Sequence, residues 1–124
     1  MSLKMSTREV KDVIIIDLVG QLTMGEASAA IRDEVRDEIG HGYKKILLNL
    51  AEVTYIDSSG LGELTSSYTS VKNRDGELKL VNLTRRVHDL MQITKLYTVF
   101  DVYDDEKKAI ASFHVEVGSG SPVR

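Results

Sequence analysis

The chain has 124 residues, 42% of them apolar, with 16 Lys and Arg against 19 Asp and Glu for a formal net charge of −3. That size makes one domain, able to bury about two-thirds of its unfolded surface in a single core. Charges of both signs are interspersed without a basic block, which leaves nucleic acid no electrostatic footprint, and the absence of cysteine excludes a disulfide framework and thiolate metal sites.

No apolar run approaches the roughly 20 residues a bilayer span needs, and the N-terminus lacks the apolar stretch of a signal peptide. A soluble, cytoplasmic protein without direct membrane insertion is expected. Met1-Ser2-Leu3 ahead of Met5 looks like a cloning remnant, so residues 1–6 are expected to be disordered and the domain to occupy residues 7–115. Gly118-Ser119-Gly120-Ser121-Pro122 is linker-like, and residues 116–124 are expected to form a flexible tail.

In chain order, Thr7–Lys11 and Val13–Val19 are predicted strands joined by a hairpin at Asp12, the second opening with four consecutive β-branched residues, Val13 to Ile16. Thr23-Met24-Gly25-Glu26 has the S/T-x-x-E form of a capping box. The helix it would start carries an apolar stripe of Met24, Ala27, Ile31, Val35 and Ile39 and ends at Gly40 and Gly42. Its charged run, Arg32 to Glu38, reads as a solvated face. Ile46–Leu50 is apolar enough for a buried strand, and Leu61, Leu64, Tyr68 and Val71 recur at helical spacing.

Between that strand and that helix lies Asp57-Ser58-Ser59-Gly60. Asp57, Ser58 and Ser59 are all good helix caps, while Gly60 and Gly62 are expected to leave the first-turn amides uncovered. Downstream, Lys72–Gly76 is a turn and Leu78–Leu83 a strand. Thr84 caps a helix with Val87, Leu90, Met91 and Thr94 inward and Arg85, Arg86 and Lys95 outward. A short strand follows near Thr98–Val102, and Asp104 and Asp105 lead into a last helix through Ala109, Ile110 and Phe113. Strands alternating with helices imply an α/β fold with right-handed crossovers, a mostly parallel sheet, an antiparallel N-terminal edge strand and about four helices. In such sheets function collects beyond the carboxyl ends of the parallel strands, where residues 53–60 fall.

The stretch Leu48–Gly62, LNLAEVTYIDSSGLG, resembles the signature of the bacterial anti-sigma factor antagonists, small single-domain members of the STAS family. Gly20-Gln21-Leu22 is similar to the family's G-x-L turn, although the acidic residue often found next is Thr23 here. The likeness runs more loosely to about Phe113. It implies a STAS-like fold and places the phosphorylated serine on Ser58. It further implies an anti-sigma factor partner with serine kinase activity, release of a sigma factor by the unphosphorylated form, and a phosphatase that resets phosphorylated Ser58.

A partner-binding surface of Asp57, Ser58, Ser59, Gly60, Gly62, Glu63 and Ser66 is expected around that serine, with exposed small residues Gly62, Ser66, Ser67 and Ser70 permitting close approach. No Lys or Arg lies between Lys45 and Lys72, so a phosphate on Ser58 is expected to act by repulsion. The protein is expected to be a monomer or weak dimer that uses no catalytic residue, cofactor, metal or nucleic acid. An alternative is a STAS scaffold or accessory subunit of a stress-signalling complex or transporter. A third reading, a serine hydrolase, finds little support: His41, His88 and His114 belong to no catalytic motif, and neither a G-x-S-x-G elbow nor a phosphate-binding loop occurs.

Overall fold

The computed structural model describes residues 3–113. The predicted tail, His114 and the first two residues lie outside them. Five strands alternate with four helices: β1 Leu3–Val10, β2 Val13–Leu22, α1 Glu26–Gly40, β3 Lys45–Ile56, α2 Ser58–Asn73, β4 Glu77–Val81, α3 Arg85–Thr94, β5 Val102–Tyr103 and α4 Glu106–Ser112, with a 3-10 turn at Leu96–Thr98. The sheet order is β1-β2-β3-β4-β5. β1 runs antiparallel to β2, and every other neighbouring pair is parallel. The predicted element order and sheet direction are both met.

Alternation along β2 and β3 divides the core in two. Ile14, Ile16, Leu18, Ile46, Leu48 and Leu50 face α1, α2 and α3, which contribute Ile31, Val35, Leu61, Leu64, Val87 and Met91. Val13, Ile15, Leu47 and Val81 face Ala109 and Phe113 at the α4 end of the chain. Strands covered on both faces read as continuous apolar runs, which is why 46–50 was legible as a buried strand. Leu48 has no exposed surface. Leu48→Ala is expected to lower stability by about 2–5 kcal/mol through lost burial plus a cavity, and a loss below about 1 kcal/mol in urea melts would contradict this placement.

Several boundaries differ from those expected. β1 starts at Leu3, not Thr7, because Leu3 and Met5 pair with Gly20 and Leu18 and pack against the larger core. Gly20-Gln21-Leu22 is not a turn: β2 continues through it with register irregularities against β3, and Gly20 has φ 122°, a conformation glycine adopts without a Cβ penalty. β5 is only Val102–Tyr103, since residues 96–98 coil into the 3-10 turn.

The capping box does not form. α1 begins at Glu26 behind Gly25, whose φ of 91° and ψ of −127° suit glycine, and no side chain caps its first turn. Thr23 contributes its carbonyl instead, accepting from Ser28 Oγ at 3.0 Å. Met24 therefore leaves the apolar stripe and is 72% exposed. Thr94, expected inward, is exposed as well.

On α1, the Glu38 carboxyl is pushed up to about 7 by partial burial and by the neighbouring Glu34 carboxylate, four residues away on the same helix face. A carboxyl raised in the folded state favours folding while protonated, so the penalty is absent near pH 4 and complete above about pH 7. Glu38→Gln is expected to stabilise the protein by on the order of 1 kcal/mol near pH 8, allowing for solvent screening, and to change nothing near pH 4. Thermal melts at the two pH values check this; an equal gain at both would contradict it.

The candidate switch site at the start of the second helix

The site is assembled where β2 and β3 both end. β3 extends to Ile56, six residues beyond the predicted Leu50, with Val53 and Ile56 buried. Asp57 has extended backbone angles, and its Oδ1 accepts from the Gly60 amide at 2.8 Å, the side-chain-to-third-amide bond of a helix N-cap. Oδ2 reaches across to the Met24 amide at 3.4 Å. The Asp57 amide donates to the Leu22 carbonyl at 3.3 Å. One aspartate thus ties the β2–α1 connection to the first turn of α2.

Ser58 and Ser59, the first two residues of α2, are exposed. Their amides precede the first intrahelical acceptors and lie at the positive end of the helix dipole. The hydroxyl of Ser58 is accordingly presented on a rigid, solvent-facing shoulder.

Gly60 does a different job from the one expected. It is buried, its amide is taken by Asp57, and a Cβ built there would lie 2.1 Å from the Leu22 carbonyl oxygen. Glycine permits the end of β2 to close on the first turn of α2. Gly62 is exposed, and a Cβ there meets nothing within 4 Å. Asp57→Ala should cost about 1 kcal/mol by removing the cap, whereas Asp57→Asn, also a good cap, should restore most of it. Equal loss in urea melts of the two variants would contradict a capping role.

Glu63 does not belong to the exposed surface. It is 7% exposed and accepts from Arg32 of α1 at 2.9 Å and from Ser67 Oγ at 3.3 Å. Ser67 is buried too, leaving Ser66 and Ser70 exposed on that side. The helical position of Glu63 and Ser67 was legible, but their burial depends on α1 packing against α2, which no local pattern encodes.

Folding also supplies two cations that chain distance hides. Arg86, expected to point outward, lies with its guanidinium carbon 4.2 Å from the centroid of the Tyr55 ring, an attractive cation–π distance. Arg32 is held by Glu63. Among the described residues neither makes a hydrogen bond or ion pair with Ser58. Tyr55 at 36% exposure and Met24 at 72% leave apolar surface beside the serines, since Met24 is held to Asp57 and Tyr55 lies two residues before it. Their exposure is the feature the sequence patterns concealed, because both sit next to apolar runs.

His41 and His88 are exposed, and His88 lies beside Asp89 at 3.5 Å. Among the described residues Ser58 has no histidine hydrogen bond, no three His, Cys, Asp or Glu side chains converge as a metal site, and no helix is long and apolar enough to cross a membrane.

A family model described as the STAS domain matches residues 4–109. The anti-sigma F factor antagonist of Paenibacillus polymyxa is 27% identical over 93% of this chain and 98% of its own length. The crystal structure of TM1081 from Thermotoga maritima superposes with a TM-score of 0.81 at 28% identity, covering 88% of this chain and 93% of that one. The Bacillus protein SpoIIAA, solved in unphosphorylated and phosphorylated forms, is 22% identical in both comparisons, with TM-scores of 0.65 and 0.67 and 87% of this chain covered. That last likeness is one of fold.

Proposed function

The chain belongs to the STAS domain family, and from that premise we propose that it is an anti-sigma factor antagonist whose grip on its partner is switched by phosphorylation of Ser58. Unphosphorylated, it captures an anti-sigma factor that is also a serine kinase, and a sigma factor is released. That kinase then modifies Ser58 and the complex parts, until a phosphatase restores the hydroxyl. The protein acts by binding in the cytoplasm and catalyses nothing itself.

The observation that carries this reading is the placement of an exposed serine on the first turn of a well-capped helix, flanked by exposed apolar side chains. A kinase needs an accessible hydroxyl on a fixed backbone, and a partner needs apolar surface with small neighbours. Ser58, Ser59, Gly62 and Ser66 supply the small polar surface, and Met24 and Tyr55 the apolar anchors. Asp57 and Gly60 hold that surface in shape, while Glu63 braces it from beneath through Arg32.

Phosphate would add about 1.5 to 2 negative charges beside Asp57. The helix N-terminus offsets part of this within the domain, by at most about 1 kcal/mol, so the fold survives. An apposed surface closed over Ser58 has no such compensation. A pull-down from a bacterial lysate with the unmodified protein is expected to retain an ATP-dependent kinase that phosphorylates Ser58; retention of transporter or scaffold subunits alone, with no kinase, would overturn the proposal.

A further inference from the structure

Between α1 and α2 runs an open groove of about 410 Å³, within the range of small-ligand sites, lined by Arg32, Arg36, Ser66, Ser70, Asn73 and Arg74 among others. Three arginines line one groove in a chain whose net charge is −3. We propose that this groove binds a small polyanion carrying at least two phosphate or carboxylate groups. The proposal does not depend on the partner reading, although Ser66 borders both surfaces.

The acidic groups facing the groove do not cancel its charge. Glu63, at 7% exposure, is the one carboxylate among the lining residues and is matched by Arg32 at 2.9 Å. That pair is built into the floor: Ser67, itself 3% exposed, donates to the other oxygen of Glu63 at 3.3 Å. Arg32 uses one guanidinium nitrogen on Glu63, and its side chain, half exposed, lines the groove. Arg36 has Asp33 at 3.8 Å, but both side chains are more than 70% exposed, so that contact is weak and easily displaced. Arg74 has no ion pair among the described residues and projects from the carboxyl end of α2.

Guanidinium forks favour planar or tetrahedral oxyanions through paired N–H donors, and the Ser66 and Ser70 hydroxyls and the Asn73 amide add neutral donors along the same wall. Three cations spaced along a groove match several anionic groups better than one. A single monovalent ion would satisfy only one end.

The test is nuclear magnetic resonance titration of the intact protein with inorganic pyrophosphate, and in a parallel arm with tricarballylate to distinguish phosphate from carboxylate ligands. Saturable shifts centred on Ser66, Ser70, Asn73 and the arginine Nε–H signals are expected in at least one arm, weakening as salt rises. The double variant Arg36→Ala with Arg74→Ala should bind about tenfold more weakly or worse. Both side chains are exposed and neither holds Glu63, so the fold is expected to persist, as the unchanged remainder of the spectrum would show. Arg32 is left intact because its loss would strand the buried carboxylate. Shifts that fail to saturate by about 10 mM in both arms, that centre on the Ser58 and Ser59 amides, or that persist unchanged in the double variant would each overturn the site.

Discussion

Gly60→Ala should destabilise the domain by roughly 3 kcal/mol or more, lowering its melting temperature by about 10 °C, even though alanine is the better helix former. In an exposed helix interior the exchange ordinarily gains up to about 1 kcal/mol. Here the added methyl would lie 2.1 Å from the Leu22 carbonyl oxygen and 2.9 Å from the Leu22 carbonyl carbon and Cγ. Backbone on one side and the first turn of α2 on the other leave little room to yield, so overpacking outweighs propensity. Gly62 supplies the contrast: nothing lies within 4 Å of a Cβ there, and Gly62→Ala should leave stability unchanged or raise it slightly. If both substitutions were tolerated equally in thermal melts, the close approach of β2 to α2 would be wrong.

The second large effect concerns Ser58. Ser58→Ala removes the acceptor oxygen without adding charge, so partner binding should be retained and the kinase should find nothing to modify. Ser58→Asp adds a negative charge beside Asp57 on a surface that must be desolvated in the complex. Like charge forced into an interface costs several kcal/mol, and about 3 kcal/mol corresponds to more than a hundredfold loss of affinity. The same substitution should leave the melting temperature within a few degrees, because an anion on the first turn is favoured by the helix dipole. Ser59→Ala, one residue on, should leave a protein that can still be phosphorylated. A Ser58→Asp protein that loses binding only because it unfolds would not support a switch.

Local chemistry was legible where the partners are neighbours in the chain. Thr84 caps α3 by accepting from the Val87 amide, Asp105 caps α4 from the Lys107 amide, and Asp57 caps α2; each needs only a short side-chain oxygen and the next few amides. The buried run in β3 and the stripe of Leu61, Leu64 and Val71 were equally plain, since burial on one face imposes its period directly.

What the chain concealed was decided by pairs far apart in sequence. Thr23 and Glu26 fit a capping pattern, yet Asp57, 33 residues away, takes the Met24 amide and Gly25 begins the helix. Glu63 and Ser66 looked alike on paper; α1 covers the first through Arg32 and leaves the second in solvent. Met24 resembled a core residue because its spacing fits the stripe, but it lies before the first turn of α1, where helical periodicity no longer applies. Arg86 reaches Tyr55 only because α3 packs beside β3.

The candidate surface around Ser58 therefore joins a shoulder legible from sequence to anchors visible only in three dimensions. The proposed switch turns on one quantity, the difference in partner affinity between the two states of a single hydroxyl. Calorimetric titration of the captured kinase with protein carrying phosphoserine at position 58, beside the unmodified protein, measures it directly. Binding at least a hundredfold weaker for the phosphorylated form, with both forms equally folded by melting temperature, is the predicted result; equal affinity for the two forms would contradict the switch.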